Sequence, residues 1–255
     1  MLVSIKQEAS EIKYRDFWLE DIIEKLINRI LFNMKHLVKI WDSPTRLFHW
    51  GLVLLFGFMW FSGETGNYLD LHMKAGMLIL SLILYRIIWG FIGSSSARFS
   101  SFISPIGAIK HALTLFKRDP EIHAGHNPLG GLMVIALLIM LALQASAGLF
   151  SSDLVLTEGP LFNLVDEETA EEMTDFHHLG FNVLLFLTGL HVAAIVFYRV
   201  IKRTNLLKPM ITGKTVWPEK TPEPKLIFKS PLLALFVLIL SVVAVFGSVT
   251  YLSNL

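Results

Sequence analysis

The sequence contains no cysteine. This absence excludes disulfides, covalently attached c-type haem, cysteine-ligated iron–sulfur clusters and a thiol nucleophile from the chain. Charged residues are also scarce, at 17% of the chain against about a quarter in a typical soluble domain. Hydrophobic residues make up 53%, and the formal net charge is only +1. This composition predicts an all-α membrane protein, and we expect no nucleic-acid partner.

Five apolar runs are present, and a helix needs roughly 20 mostly apolar residues to cross a bilayer. The predicted spans are Leu47 to Ser62, His72 to Ile92, Pro128 to Phe150, Phe176 to Val200 and Pro231 to Leu252. Residues 153–175 contain acids but no lysine or arginine, whereas residues 93–127 and 201–229 are rich in bases. Under the positive-inside rule, this alternation predicts a cytoplasmic N-terminus and an external C-terminus.

The fourth predicted span carries two histidines, His177 and His191, fourteen residues apart. At about 100° per residue, both side chains lie within about 40° of one helix face, roughly 21 Å apart along the axis. His178 lies about 140° away from His191 and is the poorer partner. Because histidine inside a span is costly, these residues indicate a functional site.

Two more histidines lie at the same membrane depths as the histidines of the fourth span. With the predicted topology, His49 lies near the cytoplasmic end of the first span and His72 near the external end of the second. Depth alone therefore pairs His72 with His177 outside, and His49 with His191 inside. A b-type haem needs two axial imidazoles on facing helices, with small residues beside the porphyrin. The small residues near the four histidines are Gly51, Gly76, Gly180, Gly189, Ala193 and Ala194.

Other interpretations of these histidines remain open at this point. A histidine near a helix end can be satisfied by lipid headgroups or water, although His191 is too deep for that. A transition-metal transporter would need three or four histidine and carboxylate ligands at one depth. The predicted membrane interior offers no Asp or Glu, which disfavours a transporter.

Several residues at the cytoplasmic side are weaker candidates for the site. Arg46 and Arg86 are candidate partners for haem propionates, or ordinary positive-inside residues. His126 is a candidate haem, propionate or quinone contact, but a capping and hydrogen-bonding role beside Asn127 and Pro128 is favoured over it. On the external side, His178 either donates a hydrogen bond to a quinone or faces the loop.

Five segments resemble one known family. They are Thr45 to Trp50 (TRLFHW), His126 to Gly130 (HNPLG), Glu158 to Leu161 (EGPL), Gly189 to Ala194 (GLHVAA) and Asn205 to Gly213 (NLLKPMITG). Together they resemble the bacterial cytochrome b561 family, and most closely its branch of b-type cytochrome subunits of nickel–iron hydrogenases. The resemblance covers about residues 38–214.

The resemblance implies a four-helix transmembrane bundle that holds two non-covalent b haems in the bacterial inner membrane. Carried over by motif, the axial ligands are His49, His72, His177 and His191, in agreement with the depth pattern. Members of the family pass electrons between a quinone pool, ubiquinone or menaquinone, and a redox partner. The expected partner is a periplasmic c-type cytochrome or a dehydrogenase or hydrogenase subunit.

An alternative function is a self-contained quinol-oxidising enzyme that acts on superoxide, as some members of the wider family do. The sequence leaves this choice open, although an electron-transfer protein is favoured over a stand-alone enzyme. The acidic segment at residues 153–175 suggests a docking surface for a basic partner, since opposite charges steer association. Equally, these acids simply complete the charge asymmetry across the membrane.

The sequence divides into four parts. Residues 1–37 form a cytoplasmic extension, in which Asp16 to Phe32 has the helical spacing of an amphipathic surface helix. This extension has no recognisable motif, and Met34 is an alternative natural start. Residues 38–214 form the di-haem domain, residues 215–229 a cytoplasmic linker, and residues 230–255 a fifth spanning helix with an anchoring role.

Overall fold

A computed structural model describes residues 19–20, 22–27, 37–114, 123–152, 157–218 and 221–255. The chain divides into two compact units. The smaller unit takes in the described residues up to Lys39, together with Lys214–Pro224. It contains an antiparallel pair of strands, β1 (Leu37–Lys39) and β2 (Lys214–Val216), that the sequence does not predict. Residues 19–20 and 22–27 are helical, as expected; the rest of the predicted surface helix lies outside the described residues.

The larger unit consists of Ile40–Gly213 and Lys225–Leu255. Its helices are α1 (Ser43–Thr65), α2 (Leu69–Ile92), α3 (Pro105–Leu113), α4 (Pro128–Phe150), α5 (Glu167–Val200), α6 (Leu207–Thr212) and α7 (Pro231–Leu252). Five of them, α1, α2, α4, α5 and α7, are long and apolar enough to cross a membrane. The prediction of an all-α membrane protein with five spans is therefore confirmed.

Several helices begin at a capping side chain followed by proline. Asp42 Oδ1 accepts from Thr45 N at 2.8 Å at the start of α1, and Asn127 Oδ1 accepts from Gly130 N at 2.6 Å at the start of α4. Ser230 caps α7 in the same way. Each cap satisfies a backbone N–H that the helix leaves free, and proline fits the first turn because it has no N–H to satisfy.

The fourth span begins earlier than predicted. Helix α5 starts at Glu167, nine residues before the predicted Phe176, because Asp166 caps it by accepting from Thr169 N at 2.8 Å. Glu167 and Glu168 lie in its first turn, where carboxylates interact favourably with the helix dipole. These hydrogen bonds from Thr169 lower the pKa of Asp166. The acidic stretch predicted as loop is thus partly helical, and α5 has 34 residues.

Packing around α2 gives the larger unit its core. Helix α2 packs against α1, α4 and α7, whereas α5 packs along α4. The residues buried where α2 and α7 meet are Tyr85, Trp89, Ala97, Ala234 and Val237. Ser81 on α2 and Ser241 on α7 are also fully buried, and small residues of this kind let membrane helices approach closely. The fifth spanning helix, α7, therefore packs against α2, the helix that carries His72.

Candidate functional site

Four histidines on α1, α2 and α5 form two pairs. The first-span pair is His49 with His191, whose ring centroids lie 6.4 Å apart at an interplanar angle of 53°. The second-span pair is His72 with His177, with centroids 6.3 Å apart at 68°. The structure thus brings together the same partners that sequence depth pairs. His178, by contrast, is exposed.

The spacing within each pair suits one metal ion held between two imidazoles. A metal–imidazole bond is about 2.0–2.1 Å long, and a ring nitrogen lies about 1.1 Å from the ring centre. Two imidazoles on opposite sides of one ion therefore have centroids about 6.3 Å apart. The observed 6.4 Å and 6.3 Å match this value in both pairs. Bis-histidine ligation of iron is one of the ways in which proteins hold haem.

Helix α5 packs mainly along α4, and its two histidines meet rings carried by α1 and α2. Phe181 of α5 also packs against Phe56 and Trp60 of α1. Helices α1, α2 and α5 therefore meet through side chains at the depths of the histidine pairs.

Hydrogen bonds set the protonation of the second-span pair. His177 Nδ1 lies 2.9 Å from the backbone oxygen of Gln144, which can only accept, so Nδ1 carries the proton. His72 Nδ1 lies 2.8 Å from Ser62 Oγ. Because the Ser62 hydroxyl already donates to the backbone oxygen of Phe58 at 2.9 Å, it accepts from His72. In both rings, Nε2 is left as the free lone pair, which is the form that binds a metal.

The first-span pair lies in a different environment. His49 Nδ1 is buried and has no hydrogen-bond partner among the described residues. Nearby, Arg86 is only 2% exposed, and both terminal nitrogens of its guanidinium lack a hydrogen-bond partner in the described chain. The ring of Phe99 lies 5.0 Å from the guanidinium carbon. The carboxylate of Asp42 is also buried and interacts with this charge. The unused N–H groups of Arg86 therefore favour a hydrogen-bond acceptor, such as a carboxylate, at the site.

His126 lies beside the same cation. Its ring is flanked by Trp41 and Phe102, with centroids 4.7 Å and 4.8 Å away, and its Nδ1 has no partner among the described residues. Burial, followed by the nearby positive charge of Arg86 and the rings of His191 and His49, lowers the pKa of His126 to about 3. His126 is therefore neutral at physiological pH.

Arg46 makes contacts within the larger unit that the sequence does not suggest. Its guanidinium donates to the backbone oxygen of Ile211 and, at 3.3 Å, to Ser43 Oγ. Trp50 Nε1 donates to the backbone oxygen of Met210 at 3.2 Å. Two side chains of α1 thus donate hydrogen bonds to backbone carbonyls of α6. Nε of Arg46 is buried and has no hydrogen-bond partner in the described chain.

A hydrogen-bonded cluster joins three helices where α5 ends. Tyr198 OH lies 2.7 Å from His111 Nε2 of α3 and accepts from Asn127 Nδ2, the cap of α4, at 2.8 Å. The Asn127 side chain thus both caps α4 and holds α5. The capping and hydrogen-bonding role that the sequence favours for His126 is thus taken by Asn127, whereas Nδ1 of His126 has no partner among the described residues.

The small residues near the histidines have different environments. Gly51 and Gly189 are open, and a Cβ at Gly76 would meet only Met59 Cε at 3.8 Å. At Gly180, in contrast, the side chain of Gln144 from α4 lies against the glycine, because a Cβ there would overlap Gln144 Oε1. The absence of a side chain at Gly180 therefore makes room for Gln144.

Sequence reasoning misses three residues that contact the histidines or support them. Ser62 and Gln144 bond to the second-span pair, and Asp42 accepts from Trp89 Nε1 at 3.2 Å while capping α1. A signal exists for Gln144, since it is an isolated amide in an apolar span. No group of three or more His, Asp or Glu that could hold a metal ion occurs in the described part of the chain.

Known proteins provide an independent comparison. The family model of prokaryotic cytochrome b561 matches residues 40–213. A probable Ni/Fe-hydrogenase B-type cytochrome subunit of Rhizobium leguminosarum bv. viciae is 25% identical over 218 residues, which cover 72% of this chain and 90% of the relative. A protein with the same description from Azotobacter vinelandii is 24% identical over 228 residues, 73% of this chain and 91% of the relative. No solved structure gives a significant match.

Proposed function

The chain belongs to the prokaryotic cytochrome b561 family, and we propose that it is a di-haem relay between the quinone pool and a redox partner at the membrane surface. Family membership and the five spanning helices make it a multi-pass membrane b-type cytochrome of electron transfer. The number of haems, the quinone and the partner are what the proposal adds.

One observation carries the proposal: two histidine pairs share the spacing of a bis-imidazole site, at 6.4 Å and 6.3 Å. Haem b, when bound, supplies a one-electron iron couple. The first-span and second-span pairs would each hold the iron of one haem. The protein's contribution is to hold these four rings in an apolar medium, and in His72 and His177 the hydrogen bonds of Nδ1 leave Nε2 free to ligate.

The buried cation near the first-span pair supports the same assignment. Arg86 and His126 present buried nitrogens without hydrogen-bond partners among the described residues, and a carboxylate would satisfy them. Haem carries two propionate carboxylates, so Arg86 and His126 would hold the propionates beside His49 and His191. Arg46 is a weaker candidate for this role, because α6 and Ser43 already accept from its terminal nitrogens.

The distribution of charge along the chain favours a protein partner over superoxide. In the proposed orientation, the N-terminus lies in the cytoplasm of a bacterium and the C-terminus in the periplasm. The acidic residues 158–175 then lie outside, next to the second-span pair. Negative potential repels the superoxide anion and attracts a basic protein surface. The partner would be a hydrogenase or dehydrogenase subunit, in line with the names of the relatives, or a c-type cytochrome.

Haem stoichiometry tests the proposal. The wild type, purified in mild detergent, is expected to bind two non-covalent haems per chain by pyridine haemochrome assay, with b-type reduced-minus-oxidised spectra. His191→Ala and His177→Ala should each retain about one haem. His178→Ala is the matched control, because that histidine adjoins His177 but is exposed, and it should retain two. A wild type without haem in properly inserted protein would rule the proposal out.

A further inference from the structure

Gln144 makes two hydrogen bonds with the same histidine. Its backbone oxygen accepts from His177 Nδ1 at 2.9 Å, and its side-chain Nε2 donates to the backbone oxygen of His177 at 2.8 Å. The two bonds run in opposite directions between α4 and α5. Together they fix both the ring of His177 and the backbone that carries it.

Two glycines make this arrangement sterically possible. A Cβ at Gly148, one turn beyond Gln144 on α4, would lie 2.8 Å from His177 Cε1 and 3.1 Å from its Nδ1. A Cβ at Gly180 on α5 would overlap Gln144 Oε1. The imidazole therefore lies directly against α4, and the amide directly against α5. Only hydrogen-sized groups at these two positions permit the pair of bonds.

The environment of His177 differs from that of the other pair. His49 Nδ1 is buried without a partner among the described residues, whereas His177 Nδ1 donates to a carbonyl. In metal sites, the group that accepts from the second ring nitrogen orients the ligand and raises its basicity. An effect of Gln144 on the electronic properties of a bound group should therefore appear at the second-span pair alone.

We propose that Gln144 is a positioning residue that sets the ring orientation and basicity of His177, and thereby the reduction potential and spectrum of one haem. This inference rests on the proposed function, because it concerns a haem held by His72 and His177. It assigns a role to a residue outside the four proposed iron ligands.

The direction of the effect follows from the hydrogen bond. Donation from Nδ1 to a carbonyl increases electron density at Nε2, and a more basic ligand stabilises ferric over ferrous iron. When the side-chain amide is lost, α4 and α5 are no longer held in register at His177, so the bond from Nδ1 lengthens. The reduction potential of that haem should then rise, while that of the other haem stays unchanged.

The first test compares Gln144→Met with Asn182→Leu in the full-length haem-loaded protein. Methionine keeps the length of the side chain and removes the donor. Asn182 is the matched control, because its Nδ2 also donates to a backbone oxygen of α5, that of His178 at 3.1 Å, but on the exposed side. Potentiometric titration and low-temperature electron paramagnetic resonance of the ferric protein report each haem separately. We expect an upward potential shift and altered g-values for one haem in Gln144→Met, and wild-type values in Asn182→Leu.

A second test displaces the amide without removing it. Gly180→Ala places a methyl group where Gln144 Oε1 lies, and Gly247→Ala on α7 is its control, since a Cβ there would meet no atom within 4 Å. Gly180→Ala should reproduce the one-haem shift of Gln144→Met. This variant keeps the inference testable if the methionine variant does not assemble.

The outcomes separate the inference from the proposed function. Two haems in the wild type, with one potential raised in Gln144→Met or Gly180→Ala, would support both. Two haems whose potentials and g-values stay unchanged in these variants, or shift together, would overturn the role of Gln144 and leave the di-haem proposal standing. A wild type that binds no haem would overturn both.

Discussion

At the scale of single residues, the buried guanidinium of Arg86 should tune one of the two sites. In general, a unit charge about 8 Å from a redox centre contributes about 2 kcal/mol at an effective dielectric constant near 20, or roughly 90 mV for a one-electron couple. We therefore expect Arg86→Leu to lower the reduction potential of one haem by several tens of millivolts, because a cation favours the reduced form. Potentiometric titration measures this shift.

Arg98→Leu is the control for this prediction. Arg98 Nε donates to the backbone oxygen of Gly93 at 2.9 Å, so its guanidinium already has a hydrogen-bond partner within the chain. Its replacement should leave both potentials near the wild-type values. Equal shifts in the two variants would mean that the charge acts only through the general field of the protein.

His126 should make the protein sensitive to acid. Its pKa is about 3 in the folded protein, against an ordinary value of 6.5. Between these values the unfolded chain binds the proton and the folded chain does not, so stability falls as pH drops from about 6.5 towards 3. His126→Phe removes this titration and keeps an aromatic ring between Trp41 and Phe102.

The comparison is made by thermal unfolding of the haem-free protein in detergent between pH 7 and pH 4, because a bound propionate would itself favour protonated His126. The wild type should lose more stability over this interval than His126→Phe does. Parallel curves for the two proteins would show that His126 does not contribute to acid sensitivity.

Sequence spacing identifies the paired histidines but not the groups that support them. Periodicity places His177 and His191 on one face because a helix repeats every 3.6 residues. Ser62 bonds to His72 across the turn between two helices, and Gln144 bonds to His177 from another helix. Such partners depend on how helices pack, and no local pattern in the sequence records that.

At the scale of helices, the fifth span has a structural role beyond anchoring. Ala234 and Val237 of α7 are buried against Tyr85 and Trp89 of α2. Overpacking a tight contact typically costs about 1–3 kcal/mol. Ala234→Phe should therefore lower the thermal stability of the purified protein by about that amount. Thermal unfolding in detergent measures the effect.

The neighbouring position provides the control. Leu235 is 52% exposed and should tolerate Leu235→Phe with little change in melting temperature. If α7 were only an anchor, Ala234→Phe and Leu235→Phe would have the same melting temperature as the wild type.

The length of an apolar run predicts where some of the spanning helices begin, but not all of them. The bounds of α4 and α7 agree with the apolar runs, because Asn127–Pro128 and Ser230–Pro231 place the helix start at the start of the run. The start of α5 does not agree, because Asp166 caps a helix that begins outside the apolar run. Hydropathy therefore predicts which residues cross the membrane, whereas capping residues determine where the helix begins.

At the scale of the whole molecule, the absence of cysteine makes the orientation directly measurable. Glu171 and Lys225 are both exposed. In the proposed topology, they lie on opposite sides of the membrane. Single cysteines, Glu171→Cys and Lys225→Cys, add the only thiol to a chain that has none. A membrane-impermeant maleimide applied to intact cells with a permeabilised outer membrane should label Glu171→Cys and spare Lys225→Cys until the inner membrane is opened.

The orientation also decides which histidine pair faces the external partner. Glu171 lies six residues before His177 and twenty before His191 on the same helix, α5. External labelling of Glu171→Cys therefore places the second-span pair near the periplasm, and the first-span pair with Arg86 towards the cytoplasm. Labelling of Lys225→Cys alone would invert the molecule and turn the acidic segment to the cytoplasm. A periplasmic partner would then meet the basic side of the chain, and the electrostatic argument for a basic docking surface would fail.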